Sequence, residues 1–304
     1  MSTRNAVAPP PPGCSLQPAA LRLASVTIVQ NEALRLPDCL ASLRGLVDEM
    51  IVVDGYSTDA TLAVAAAFTP RVLLRHFDCA AHQMNFGIAQ ARADWVLVVD
   101  ADERVPAPLA AEIRAVLARP TPHAAFMMPR ANHVFGRWLR HGGNFPDYNA
   151  PRLFRRAHAR FEAQPVHARL RVEGSCGRLA TPLLHLGYPD LASYFAKFNR
   201  YTSWEAERMA TAGERFRWRR MVAVTGGHLA ERLVRRRADR DGVPGWIYLG
   251  LGGLYDLVRF LKLRELEHGD PGNAPHHVPL SAFHRDQPTT DNRKLLDLDH
   301  AHRS

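Results

Sequence analysis

Cysteine is scarce in this chain, with four in 304 residues, at positions 14, 39, 79 and 176, and no C-x-x-C pair among them. That spacing excludes a disulfide framework and a thiolate metal site, and it suits a reducing compartment. Lysine is scarcer still. It occurs at 197, 262 and 294, so nearly all of the 39 basic residues are arginine. No apolar run reaches the length of a membrane-spanning helix, and no internal repeat is present. The opening stretch, MSTRNAVAPPPPGCSLQPAA, lacks the apolar segment of a secretory leader. It reads as a disordered lead over residues 1–23. The formal net charge of +9 points to polyanionic partners: nucleotide phosphates, acidic lipid headgroups or nucleic acid.

From Ser25 onward, apolar β-branched runs alternate with helical patterns. SVTIVQ (25–30), EMIVVD (49–54), RVLLRHF (71–77) and WVLVVD (95–100) read as strands. ALRLPDCLASLRGL, STDATLAVAAAF and AHQMNFGIAQARA read as the helices between them, with Ser57 or Thr58 as the cap of the second. Such alternation predicts an α/β fold with a mostly parallel, Rossmann-like sheet and helices on both faces. Sheets of this kind bind ligands at the carboxyl ends of their strands. Asn31–Glu32, Asp54 and Asp100–Asp102 all fall at such ends, so three polar groups are expected to converge on one crevice.

The stretch VLVVDADERV (Val96–Val105) drives an apolar strand into three acids. On an extended backbone Asp100 and Asp102 share one side, and like charges so placed need a cation or aimed donors. The set suits a nucleotide-sugar site. One carboxylate accepts from base or ribose, and the D-x-D pair holds Mg²⁺ or Mn²⁺, which neutralises a diphosphate leaving group. Neither His167 nor His185 has a Cys or Ser partner at motif spacing, so a hydrolase triad finds no support.

SVTIVQNE, IVVDGYSTDAT and QMNFGIAQARADWVLVVDADERV, in this order and at these separations, resemble the inverting glycosyltransferases of family 2, which have the GT-A fold. HGGNFPDYNAPRLFRR, a following PVH, and LLHLGYPDLASYFAKFNRYT resemble the branch acting on the bacterial lipopolysaccharide core. The similarity spans about residues 24–262. It implies a UDP-sugar donor, glucose by the branch, inversion at the anomeric carbon and a divalent metal. By that resemblance Asn31, Glu32 and Asp54 hold uridine and ribose, Asp100 supports the nucleotide, and Asp102, with Asp100, takes the metal. Gln83 and Asn85 of the Q-x-N-F segment and Arg152 join the nucleotide-sugar set. Two positions depart from the family pattern. Met84 stands where a basic residue is usual, and Ala168 stands where V-H-E has its glutamate.

An inverting displacement needs a base for the acceptor hydroxyl. Asp147, in the Gly- and aromatic-rich segment 137–161, is the favoured candidate, with Glu103, Glu162 and His167 as others. The chain divides into the lead (1–23), a GT-A nucleotide-sugar and acceptor domain (24–190), a helical, membrane-proximal extension (191–263) and a disordered tail (264–304). In the extension, Trp246, Tyr248 and Tyr255 beside RRRADR suit an interfacial helix drawn to anionic lipid. The expected protein is a cytoplasmic, metal-dependent hexosyltransferase, peripheral at the inner face of the bacterial inner membrane. Its acceptor is a saccharide or lipid-linked saccharide of the lipopolysaccharide inner core. Rival readings are a degenerate nucleotide-sugar-binding homologue, a nucleotidyltransferase and a nucleic-acid-binding protein. QNEALRLP lacks the Gly-rich phosphate loop of the second rival, and carboxylates at three strand ends would repel the phosphates of the third.

Overall fold

The structure, a computed structural model, describes residues 22–148, 150–162 and 169–268. Nearly all of the lead expected over 1–23, and all of the tail beyond His268, lie outside the described residues. The chain begins as β1 (Leu23–Val29), α1 (Leu36–Leu43), β2 (Glu49–Asp54), α2 (Thr61–Ala66) and β3 (Val72–Leu74). It continues through α3 (Ala80–Gln90), β4 (Trp95–Val98), β5 (Glu103–Arg104), α4 (Ala107–Leu117) and β6 (His123–Met127). Short strands follow: β7 (Arg130–Val134), β8 (Arg137–Trp138), β9 (Pro151–Arg155), β10 (Ala159–Glu162), β11 (Arg169–Val172), β12 (Ser175–Arg178) and β13 (Leu183–Tyr188). Three long helices close the chain: α5 (Leu191–Thr211), α6 (Trp218–Ala230) and α7 (Gly242–His268).

The main sheet has the order β12-β6-β9-β4-β1-β2-β3. β4, β1, β2 and β3 are parallel, and β9 inserts antiparallel between β4 and β6. This is the mostly parallel sheet that the alternation predicts. Each face buries a separate core. Leu36, Cys39, Leu40 and Leu43 of α1 recur at helical spacing and pack with Leu109 and Ile113 of α4 over Leu97 and Leu153. Ala81, Met84 and Ile88 of α3 cover Val26, Val53, Val96 and Phe154 on the other side. Gly87 lets α3 sit this close, because a Cβ there would lie 2.6 Å from Val26 Cγ1 and 2.9 Å from Val53 Cγ2.

Several boundaries differ from the sequence reading. Pro151–Arg155 lies in a segment read as irregular, yet it is an internal strand. Pro151 can open it without a ladder N–H, and Leu153 and Phe154, both fully buried, plug opposite faces. The helix expected from Leu191 to Arg217 stops at Thr211, followed by Gly213 at φ +74°, the left-handed turn that ends helices. α7 runs on to His268, through residues read as the start of the tail. A second sheet, β5-β13-β7-β8, covers the carboxyl ends of the main one. α5 and α6 pack against α7 around Ala206, Met209, Phe260 and Leu263. Among the described residues no helix is long and apolar enough to cross a membrane.

Candidate active site

The parallel strands deliver their ends to one edge, with Val29 of β1 in register with Asp54 of β2. Two loops are stitched together there. Asn31 adopts φ +56°, which Asn tolerates. Its N–H donates to Ser57 Oγ at 2.8 Å, and its Oδ1 accepts from Thr58 N–H at 2.8 Å. Asp54 is fully buried, and its two oxygens accept from Ser57 N–H at 2.7 Å and Ser57 Oγ–H at 2.5 Å. Ser57 and Thr58 therefore bind these loops together instead of capping α2, whose cap position is Ala60. Asp54 shapes the loop from beneath, while Asn31 is exposed above it. Burial lifts the Glu32 carboxyl above its ordinary range. Arg35 and Lys197 oppose the shift, and the charge of Asp102 adds to it.

β4 ends at Val98, so Asp100-Ala101-Asp102 is a turn and its two carboxylates part company. Asp100 Oδ2 accepts from Arg152 Nη2 of β9 at 2.9 Å. The same nitrogen donates to Glu103 Oε1 at 2.9 Å, and Glu103 Oε2 accepts from Asp100 N–H at 2.9 Å. Glu103 is fully buried, and burial pushes its carboxyl up to about 7 against the pull of Arg152. It is thus out of reach of an acceptor hydroxyl; its position fixes Arg152 and the turn. Arg152 is wedged between two acids and raised above its ordinary range by them in spite of burial. It anchors the acidic turn. Arg104 secures the turn from the other side, donating through Nη1 to the carbonyls of Ala101 and Glu103 at 2.8 Å each.

Asp102 faces a different pair of partners. Antiparallel pairing of β13 with β5 sets His185 opposite Glu103. His185 Nε2 lies 3.7 Å from Asp102 Oδ1, and Lys197 Nζ of α5 donates to Asp102 Oδ2 at 3.2 Å. Burial alone would raise the Asp102 carboxyl, yet His185 and Lys197 together hold it far below the ordinary carboxylate range. The histidine's ring orientation follows from its second contact. Asn132 Nδ2 donates to Asn144 O at 3.1 Å and Asp147 Oδ2 at 3.2 Å, which turns Asn132 Oδ1 toward His185 Nδ1 at 2.8 Å. Nδ1 therefore donates to Asn132 Oδ1, and Nε2 is the ring nitrogen turned toward Asp102. A carboxylate oxygen and an imidazole nitrogen 3.7 Å apart are the kinds of donor that hold a divalent cation.

The remaining expected residues divide. Asp147 borders this centre, bridged to Arg130 of β7. Its Oδ2 accepts from Arg130 Nε at 3.0 Å and Nη2 at 2.6 Å. Gln83 and Asn85 do not face the crevice. Gln83 is buried and clasps Arg75 through Oε1 at 3.0 Å and Nε2 at 2.9 Å. Asn85 exchanges both amide groups with the Phe161 backbone, at 2.8 and 2.9 Å, and so ties α3 to β10. Met84 is core. Glu162 pairs with Arg171 across the β10–β11 hairpin at 3.3 Å. His167 and Ala168 lie outside the described residues. Sequence reasoning passed over Lys197 and Asn132 and gave His185 no partner. The signal for Lys197 was its rarity, as one of three lysines in an arginine-rich chain.

Comparison with known proteins points to glycosyltransferases. Residues 25–171 match the family model described as glycosyl transferase family 2. The lipopolysaccharide core biosynthesis glycosyltransferase LpsC of Rhizobium meliloti is 26% identical over 250 residues, covering 80% of this chain and 92% of that protein. Among solved structures, S. aureus TarS 1–349 in complex with UDP-GlcNAc has a TM-score of 0.45 and 12% identity, over 82% of this chain and 93% of that one. Glucosyl-3-phosphoglycerate synthase from Mycobacterium tuberculosis, in complex with Mn²⁺ and UDP-glucose, has a TM-score of 0.31 and 24% identity, over 38% and 45%. The domain covering residues 25–171 belongs to glycosyl transferase family 2, and the protein is a glycosyltransferase.

Proposed function

We propose that the protein moves a hexose, glucose, from a UDP-sugar to a saccharide of the lipopolysaccharide inner core, with inversion and with a divalent metal. The observation that carries this reading is Asp102 with His185 3.7 Å and Lys197 3.2 Å away, at the edge where the strand ends meet. The likeness to LpsC over most of both chains supports the class of acceptor. Asp102 and His185 would hold Mg²⁺ or Mn²⁺, whose charge neutralises the departing diphosphate. Asn31 and Glu32 present donors and acceptors to the nucleoside, on a loop that Asp54 and Ser57 stiffen. Lys197 serves the phosphates in place of the basic residue that Met84 lacks. The acceptor oxygen attacks the anomeric carbon opposite the nucleotide, and the bond to the β-phosphate oxygen breaks with its electron pair leaving on UDP. Asp147 takes the hydroxyl proton on Oδ1, the oxygen not held by Arg130.

Attachment to an anionic membrane surface fits the outer face of α7. Val243, Ile247, Leu254 and Leu261 recur at helical spacing and are exposed, with Trp246 beside them. Arg235, Arg236, Arg237 and Arg240 lie exposed just ahead of this helix. UDP release from UDP-glucose tests the catalytic reading, using lipopolysaccharide truncated within the core as acceptor. Turnover should require Mn²⁺ or Mg²⁺ and vanish in Asp102→Ala. Asp147→Asn should reduce it about 10²–10⁴-fold with UDP affinity unchanged. Full turnover in EDTA would sink the metal assignment, and wild-type turnover in Asp147→Asn would remove that residue as the base.

A further inference from the structure

β13 and the three C-terminal helices line a cavity of about 300 Å³. Its walls combine tyrosine with cations. Tyr188, Tyr194, Tyr248 and Tyr255 supply ring faces, and His228, Arg232 and Arg259 supply positive or protonatable groups. The acid in the wall, Asp256, is buried and already committed, to His228 Nδ1 at 2.7 Å and Arg259 Nη2 at 2.8 Å. Arg232 is not so committed. It has no carboxylate at ion-pair distance among the described residues, and its guanidinium carbon lies 5.9 Å from the Tyr248 ring centre. A half-buried guanidinium without an acid is a standing demand for an anion.

The local backbone is built around that arginine. Arg232 sits in a π-helical turn, Glu231–Arg235, a widening of the helix that is frequent at functional sites. Opposite it, Gly252 leaves the space the guanidinium occupies, since a Cβ there would lie 3.1 Å from Arg232 Nη1. One wall residue of the cavity lies near the reaction centre. Lys197 Nζ, which holds Asp102, lies 5.5 Å from the centre of the Tyr188 ring.

We infer that this cavity seats the acceptor, and that the acceptor residue bound there is a saccharide bearing a carboxylate or phosphate. The inference rests on the transferase reading and adds the chemical class of the second substrate. Tyrosine rings take the apolar C–H faces of a pyranose while their hydroxyls meet its polar edge. Arg232 matches two anionic oxygens with one planar fork, which a neutral sugar does not supply. The Asp256–His228–Arg259 network holds the far wall in register.

The test uses the full chain saturated with Mn²⁺ and UDP, titrated with glucose, glucuronate, glucose 6-phosphate and inorganic phosphate by ligand-observed NMR. Glucuronate and glucose 6-phosphate should bind at least about tenfold tighter than glucose, and glucose 6-phosphate at least about tenfold tighter than inorganic phosphate. Arg232→Gln should abolish the preference for charged sugars, Arg232→Lys should restore part of it, and the exposed Arg235→Gln should leave it unchanged. UDP–Mn²⁺ affinity, measured on the same samples, reports that each variant is folded. Equal affinity for glucose and glucuronate, or a preference surviving in Arg232→Gln, overturns the assignment. Inorganic phosphate binding as well as the sugar phosphate would make the cavity an anion site and not a saccharide site. Loss of UDP–Mn²⁺ binding in the wild type would instead fall on the donor reading, leaving the sugar titrations to judge the cavity alone.

Discussion

Replacing Lys197 by Met should move two affinities in opposite directions. In the protein without donor, the lysine occupies one oxygen of Asp102 at 3.2 Å and competes with any cation for that carboxylate. Coulomb attraction across 3.2 Å amounts to about 1.3 kcal/mol in a water-like dielectric and about 5 kcal/mol at an effective dielectric of 20. The lysine side chain is 24% exposed and that of Asp102 13%, which places the pair between the two figures before the cost of desolvating the ammonium is subtracted. A net competition of about 1–2 kcal/mol corresponds to roughly a tenfold gain in Mn²⁺ affinity on removing the ammonium. UDP loses a charge-assisted contact of about 1.5–3 kcal/mol, so its affinity in the presence of Mn²⁺ should fall about tenfold or more. Calorimetric titration of Mn²⁺ alone, then of UDP at saturating Mn²⁺, measures both on the same variant. Mn²⁺ binding that stays constant or weakens would refute the competition, and unchanged UDP binding would remove Lys197 from the phosphates.

Other perturbations test the frame that holds these groups. Arg152→Ala leaves Glu103 buried without its cation and Asp100 without its partner, so unfolding stability should drop by about 3–5 kcal/mol in a urea titration; a loss within 1 kcal/mol would contradict the wedge. Gly87→Ala places a methyl 2.6 Å from Val26 Cγ1. It should cost about 1–3 kcal/mol by thermal melting, and a neutral result would mean α3 can lift off the sheet freely. Burial works to raise the Asp78 carboxyl, but Arg75, His82 and the Cys79 N–H hold it well below its ordinary range. A depressed acid contributes stability above its unfolded value, near 3.9, and loses it as pH falls through the folded one. Asp78→Asn should therefore cost about 2 kcal/mol at pH 7, with the difference shrinking below about pH 4; an equal loss at both pH values would contradict the linkage.

Much of the architecture was legible because it depends on local periodicity. EMIVVD reads as a strand and is one, from Glu49 to Asp54, since both faces of a covered parallel strand must be apolar. The convergence of Asn31, Asp54 and Asp102 follows from parallel strands ending at one edge. The insertion of Pro151–Arg155 was not legible. Five residues opening on a proline carry too little pattern to signal a strand, and its place between β4 and β6 is settled by pairing partners far away in sequence. Gln83 and Asn85 show the converse. Motif position marks them as part of the set but does not say whether an amide faces the ligand or a neighbouring backbone, and here both amides are spent on the protein.

The sequence by itself determined the alternating α/β order, the acidic turn after the fourth strand and the family likeness that goes with it. These are properties of short segments and their succession. Tertiary structure alone decided what each acid does. Lys197 and Asp102 are 95 residues apart, and His185 reaches the same carboxylate because β13 pairs with β5. It also separated Asp100 from Asp102, because the strand ends before the pair and a turn sends the two carboxylates to different partners. The charge of a carboxylate is set by the cations and donors within a few ångströms of it, and those neighbours come from wherever the chain returns.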